Sequence, residues 1–339
     1  MTELTPEELN RNTIDRNYAE TSSNVRARFE VYKHAVPYVG IERYAVDVLS
    51  SLGAFAIGDT VMDVGTADGS LHLLLRDQFG HKGAFIGLDP NSKQFEHLLQ
   101  PFLPMSKAEW EAVKSGPKPV AFSAKSLLAL HAGRPFIIFK ESENLSLHEG
   151  RAHDLSQAED KTINVLFAMF MLYHLPQQER QKAYAEFRRV LRPEGVLVCA
   201  TSGKNNKFQH RRLESEVASY LGIQPPSVMN ASFTTESSGS ELAADFEHVY
   251  EHSQHALFSS NTREKIEVYL ASLRSLRDQF EPIPESQDFE TALIEKVLPQ
   301  LTAEDQYGST FTDTVHRSIF FASSHPLQIA ERYDFRRVN

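Results

Sequence analysis

The residues best suited to chemistry gather where an apolar run breaks into a turn. Val61-Met62-Asp63-Val64-Gly65-Thr66-Ala67-Asp68-Gly69 reads as a strand that ends in a glycine-flanked turn and opens a helix. Such a turn brings backbone N–H groups close to a ligand. A dinucleotide fingerprint needs G-x-G-x-x-G around a pyrophosphate. Here Ala67 stands at the middle glycine and Asp63 puts a carboxylate at the strand end, which suits a cationic ligand better. Asp89, followed by Pro90-Asn91, closes the next strand and is placed to accept hydrogen bonds from two ribose hydroxyls.

A second set follows the nearly unbroken apolar run Ile163 to Phe170. His174 sits just beyond it, an imidazole able to deprotonate or orient a hydroxyl near neutral pH. Its alternative role is to cap the turn at Leu175-Pro176. Tyr173, with Tyr18 and Tyr32, can line an acceptor pocket or face a cation, or simply fill half-buried core. Met169, Phe170 and Met171 make the strand end apolar, as an aromatic or aliphatic acceptor would require. Lys204, Lys207, His210, Arg211 and Arg212 form a basic concentration that can receive a carboxylate or phosphate, or serve as a solvated helix face. His148 and His153 lack a third ligand, so no metal site is expected.

Positioning these groups takes a parallel α/β sheet. Strands are expected at Thr60–Val64, Gly83–Leu88, Phe136–Phe139, Ile163–Phe170, Val196–Ala200, His248–Phe258 and Ser318–Ala322. Helices are expected at Ala45–Leu52, through Leu71–Leu75, and at Gln178–Leu191, where Pro193-Glu194-Gly195 stops the last. Alternating strands and helices imply a doubly wound sheet with ligands at its carboxyl edge. Phe95 to Pro135, with Pro101, Pro104, Pro117 and Pro119, reads as an insertion around two helix-like pieces, and His148 to Lys161 as loop. Thr5 and Glu8 are spaced as a capping box. The expected organisation is an N-terminal helical segment over the site (1–44), a core (45–204, insertion 95–135), a mostly helical lid with one sheet strand (205–313), and a closing strand and tail (314–339).

A chain of 339 residues can bury a substantial core. The formal net charge of −10 argues against a nucleic-acid partner, which would call for phosphate-neutralising Lys and Arg. Cys199 is the only cysteine, which rules out an intrachain disulfide and a Cys-rich zinc site. No apolar run suits a signal peptide or a membrane span, so a cytoplasmic protein with a small-molecule substrate and no membrane partner is expected. Oligomeric state is not legible.

From about Asn24 to Ala322 the chain resembles the class I S-adenosylmethionine-dependent methyltransferases. Asp63 to Gly69 resembles their first motif, and Asp89 their ribose-binding acid. Glu141-Ser142-Glu143-Asn144-Leu145 is similar to the D-A-x-x-L segment beside the adenine, with Glu141 for the usual Asp. Met171 to Pro176 resembles the fourth motif and its turn, and Arg188 to Gly195 the stretch before the fifth strand. One bacterial subgroup, with A-N-H-M-L-Y-H-V-P and T-x-G-K-N-H, is especially similar to Ala168–Pro176 and Thr201–Asn206. Phe233-Thr234-Thr235-Glu236 also resembles that subgroup. Met169-Phe170 and Asn206 depart from its Asn-His pair and its last His.

The resemblance implies a Rossmann-like, mostly parallel seven-stranded sheet with helical insertions as a lid. It implies S-adenosyl-L-methionine as cofactor, bound by Asp63, Gly65, Thr66, Ala67, Gly69, Asp89, Pro90, Glu141, Ser142, Glu143, Ala168 and Met169. Acceptor contacts fall to Tyr18, Tyr32, Phe170, Tyr173 and Asn205, and a catalytic role to His174. The expected reaction is in-line methyl transfer to O, N or C of a small metabolite. A macromolecule methyltransferase and a non-catalytic cofactor-binding sensor or scaffold are the alternatives.

Overall fold

The computed structural model describes residues 27, 30–38, 40–90, 120–123, 126–131, 134–139, 144–225, 232–277, 288–303, 311–329 and 333–338. They form two compact units. One comprises the described residues within 27–40, 202–235 and 253–318, the other those within 41–201, 236–252 and 319–338. The capping box at Thr5 and Glu8 and the acceptor residue Tyr18 lie outside the described residues.

In the second unit α1 (Ile41–Ser51) buries Ile41, Ala45, Val48 and Leu49, the i, i+4, i+7, i+8 stripe of an amphipathic helix. β1 (Val61–Val64) is buried on both faces, as a central parallel strand must be. It pairs in parallel with β2 (Phe85–Asp89) on one side and β7 (Ile163–Met169) on the other. β6 (Leu145–Glu149) runs parallel to β2, and β8 (Leu191–Ser202) parallel to β7. β2 follows β1 outward on one side while β7 and β8 build the other. The chain therefore reverses its winding between β1 and β7, the switch point where such sheets bind ligands.

The sheet has eleven strands among the described residues, more than the seven expected. The seven form β6-β2-β1-β7-β8-β10-β9, with β9 (His248–Ser259) and β10 (Thr312–Ser323). Beyond β6 lie β5 (Arg134–Phe139), β4 (Ser126–His131) and β3 (Val120–Ser123), all antiparallel, and β11 (Arg336–Arg337) adds to β9. The late part of the expected helical insertion is thus a β-meander. The strand expected third in the parallel series, Phe136–Phe139, belongs to this meander, and β6 takes its place. β6 is not among the expected strands, its last two residues falling in the expected loop, because its Leu-Ser-Leu-His-Glu alternation is only five residues long.

α2 (Ser70–Phe79) and α3 (Gln177–Val190) connect the parallel strands. Arg180 of α3 is 1% exposed. Its guanidinium donates to both oxygens of Glu241 (2.6 and 2.9 Å) and to Leu175 O (2.6 Å), fixing the turn after β7. Tyr184 adds a bond to Glu241 at 2.9 Å, and burial together with that carboxylate raises its phenol pKa. Cys199 lies in β8, fully buried, and burial pushes its thiol pKa up.

In the first unit α4 (Phe208–Leu221) packs Leu213, Val217 and Leu221 into a core with α6 (Arg263–Arg274) and the helical run Phe289–Thr302. α5 (Thr235–Ala243), which apart from Thr235 belongs to the second unit, precedes β9. The first turn of α4 is capped from a distance. Asp313 accepts from the N–H groups of Gln209 (3.0 Å) and His210 (2.9 Å), and from the Tyr269 hydroxyl at 2.7 Å. No helix of the described residues is long and apolar enough to cross a membrane.

Candidate functional site

The turn between β1 and α2 is wound tightly on itself. Gly65 takes φ 80°, and a Cβ there would come within 2.9 Å of Met171 Cβ, so only glycine lets the turn pass beneath the segment after β7. Ala67 adopts φ 45° and Gly69 φ 69°. A left-handed alanine is unfavourable by the same Cβ sterics that bar left-handed helices. What holds it is a hydrogen bond from its N–H to Asp89 Oδ2 at 3.0 Å.

Four other N–H groups of the turn are spent internally. Those of Gly65 and Thr66 donate to Leu88 O at 2.7 and 3.0 Å. That of Gly69 goes to Thr66 O (2.8 Å), and that of Ser70 to Asp68 Oδ1 (3.2 Å). The sequence suggested N–H groups turned toward a ligand; the structure uses them to lock the turn against β2. A phosphate cradle needs several convergent donors, so this turn is unsuited to a pyrophosphate.

Its charge points the same way. Asp63 is 4% and Asp89 8% exposed. Burial raises the Asp63 pKa to about 7, with Asp89, Glu42 and Asp68 adding to the rise and the Thr66 hydroxyl opposing it. A cation placed here would restore the carboxylate to its ionised form.

Across the switch point β7 ends at Ala168, fully buried, and half-buried Met169. Phe170 takes φ 52°, its N–H bonded to Ala200 O at 3.0 Å. Leu172–His174 then form a 3-10 turn, in which His174 N–H donates to Met171 O at 3.0 Å. The half-buried rings of Tyr173 and His174 lie 4.3 Å apart between centroids, tilted at 55°. Asp63, Gly65, Thr66, Ala67, Gly69, Asp89, Pro90, Ala168, Met169, Phe170, Tyr173 and His174 therefore all belong to one unit and to the loops at the carboxyl ends of β1, β2 and β7. Tyr32 and Asn205 belong to the other unit.

Glu141, Ser142 and Glu143 lie outside the described residues and precede β6 in the chain. The segment at the carboxyl end of β6 is a different one, Gly150 to Leu155, which sequence reasoning passed over as loop. Gly150 N–H donates to Asp89 O at 3.0 Å, and a Cβ on Gly150 would meet Leu88 Cδ1 at 2.5 Å. Ala152 and Leu155 are buried. Leu155 N–H bonds Glu186 Oε2 at 2.9 Å, and Arg189 donates to Leu155 O and Ala158 O at 3.0 and 3.1 Å. Hydrogen bonding to Arg189 holds the Glu186 carboxyl below its ordinary pKa. The signal for this segment was present, since Ala152-His153-Asp154-Leu155 repeats the A-x-x-L spacing sought upstream, with Arg151 before it.

Residues 126–199 match a family model described as a methyltransferase domain, a span from β4 into β8 that takes in the turn after β7. Over this stretch the chain is similar to methyltransferase domains, and the match begins after the Asp63–Gly69 turn. No curated protein compared with the chain matches it. Among solved structures, the cyclopropane synthase MmaA2 from Mycobacterium tuberculosis is 14% identical, covering 95% of this chain and 100% of that one at a TM-score of 0.47. YcgJ protein from Bacillus subtilis is 12% identical, covering 84% and 100% at 0.46. The geranyl diphosphate C-methyltransferase from Streptomyces coelicolor A3(2) is 12% identical, covering 84% and 79% at 0.41. At these scores the likeness carries no argument, and the Rossmann-like α/β fold rests on the sheet's own order and directions.

Proposed function

We propose that this chain moves a methyl group from S-adenosylmethionine to O, N or C of a small-molecule metabolite in the cytoplasm. The observation that carries the reading is the Asp63–Gly69 turn. It buries the Asp63 carboxyl within the field of Asp89, which accepts from the Ala67 N–H, and four of its other N–H groups are spent internally, which disfavours a phosphate ligand. These residues fit a cationic nucleoside. Asp89 and Pro90 would hold the ribose, Asp63 with Gly65, Thr66, Ala67 and Gly69 the methionine end, and Ala168 and Met169 the adjoining wall.

When bound, the cofactor supplies an activated methyl group, so the chain's residues chiefly position the acceptor and exclude water. Phe170 and Tyr173 give the switch point an apolar lip, and His174 takes a proton from acceptors that must lose one. The net charge of −10 favours a metabolite over RNA. A single buried thiol suits a reducing compartment.

Calorimetric titration of the full chain with S-adenosylmethionine, S-adenosylhomocysteine and NAD tests the reading. Binding of both sulfur compounds without NAD is the expected result, and silence from both would overturn it. Methyl incorporation into size-fractionated extract then separates acceptors: label in the macromolecular fraction defeats the small-molecule assignment. Binding with no turnover on varied acceptors would favour a sensor.

A further inference from the structure

We propose that Arg180 is a positioning residue of the candidate site, setting from within α3 the turn that carries Tyr173 and His174 and covers Gly65. The inference deepens the methyltransferase reading and rests on it for what that turn does. How the turn is held can be measured without any cofactor.

Phe170 to Pro176 join β7 to α3. At the near end the Phe170 N–H donates to Ala200 O at 3.0 Å, and Met171 packs over Gly65, where an added Cβ would come within 2.9 Å of the Met171 Cβ. At the far end Leu175 closes the 3-10 turn, its N–H on Leu172 O at 3.1 Å and its own backbone extended. Pro176 has no N–H to give and supplies α3 with no side-chain cap. Arg180 secures this junction instead, its Nη1 donating to Leu175 O at 2.6 Å. Tyr173 and His174 therefore lie between two fixed points, one held by β8 and the other by Arg180.

The guanidinium is itself firmly held. Its Nε and Nη2 donate to Glu241 Oε1 and Oε2 at 2.6 and 2.9 Å, fork on fork, and the Tyr184 hydroxyl donates to Oε1 at 2.9 Å. Glu241 belongs to α5, the helix on which the chain returns to this unit at Glu236.

A guanidinium only 1% exposed is a costly way to join two helices, because apolar side chains of similar volume stabilise such a contact as well or better. What apolar side chains cannot do is hold a carbonyl. Arg188, at the far end of α3, shows the ordinary alternative: it pairs with Asp245, just past α5, at 2.9 Å and is 45% exposed. Arg180 differs in that one of its three acceptors is the backbone that aims Tyr173 and His174. The His174 N–H donates to Met171 O at 3.0 Å, so a single tight turn couples the His174 end to the Met171 end. Loosening Leu175 disturbs His174 and the cover over Gly65 together.

The test separates positioning from stability. The triple variant Arg180→Met, Tyr184→Phe, Glu241→Leu replaces the network with apolar groups. It should keep a urea midpoint close to wild type, since removal of buried charge offsets the unsatisfied Leu175 carbonyl. Its affinity for S-adenosylhomocysteine by calorimetry should still fall about tenfold. The His174 ring signals, assigned by their loss in His174→Gln, should shift in the NMR spectrum of the unliganded chain. Arg188→Gln, the control at the far end of α3, should change neither readout. If the triple variant fails to fold, Glu241→Gln carries the test. It keeps the shape but turns one acceptor into a donor facing the guanidinium, and should shift the His174 signals and weaken affinity about threefold. Wild-type affinity with unmoved His174 signals, in a folded triple variant or in Glu241→Gln, overturns the inference and leaves Arg180 as a structural ion pair. If the unmutated chain does not bind S-adenosylhomocysteine, the methyltransferase reading falls, and the His174 signals alone decide whether Arg180 positions the turn.

Discussion

Asp63 and Tyr32 are both weak acids drawn out of water, one in each unit, and their neighbours act on them in opposite senses. Around Asp63 stand Asp89, Glu42 and Asp68, so negative charge adds to burial and lifts its pKa to about 7. Around Tyr32 stand Lys207 and Arg317, which overcome burial and lower its pKa. A net charge of −10 conceals this division. One unit sets negative neighbours about its buried acid, the other positive ones.

The contrast can be broken most strongly at Asp89. Replacing it with alanine should weaken S-adenosylmethionine binding about 10- to 100-fold, because the ribose loses a charged acceptor and Ala67 its anchor. Unchanged affinity by calorimetry would remove the ribose from this position. Asp63→Asn sharpens the comparison through stability. Its folded-state pKa, about 7, lies above the ordinary 3.8, so the folded chain holds the proton more tightly, and stability falls as pH rises through that interval. The Asn variant should therefore gain roughly 1–3 kcal/mol at pH 8 and little at pH 4, read from urea unfolding at both. Equal gains at the two pH values would contradict the assignment. On the positive side, Gly203→Ala should cost about 1 kcal/mol, with a spectroscopic shift in Tyr32 ionisation, since its methyl group must displace the His316 ring. A variant with wild-type melting and titration would show that this packing does not position the Tyr32 cluster.

What the sequence made legible follows from how local each signal is. β1, its glycine turn, β2, β7 and α3 are written in contiguous runs of apolar periodicity and turn residues, and the structure places them within a few residues of expectation, while β8 starts earlier, at Leu191, and takes in the Pro193-Glu194-Gly195 stretch expected as a turn. β6 is only five residues long and lies beside polar sequence, so its pairing with β2 decides it rather than its composition. The meander β3–β5 was hidden by the prolines before it, since antiparallel partners declare themselves only across the hairpins. Asp63 and Asp89 were readable because Asp63 stands one residue before the end of its strand and Asp89 closes its own. The Tyr32, Lys207 and Arg317 cluster was not, because these residues lie far apart in the chain and no periodicity links them. Asn205 illustrates the local limit. It is exposed while its neighbour Asn206 turns inward to Tyr32, a one-residue difference set by backbone winding that composition does not carry.

Cys199 gives the second unit an internal clock. Its sulfur is sealed in β8 beneath the parallel core, with a thiol pKa raised by burial, so a water-soluble alkylating reagent meets it only when the sheet opens. Because no other cysteine competes for reagent, the rate of modification in native buffer measures the frequency of that opening directly. A ligand that binds the closed sheet lengthens the interval between openings in proportion to its occupancy. The same thiol can thus register cofactor binding without a catalysed reaction, and without any label added to the chain beforehand.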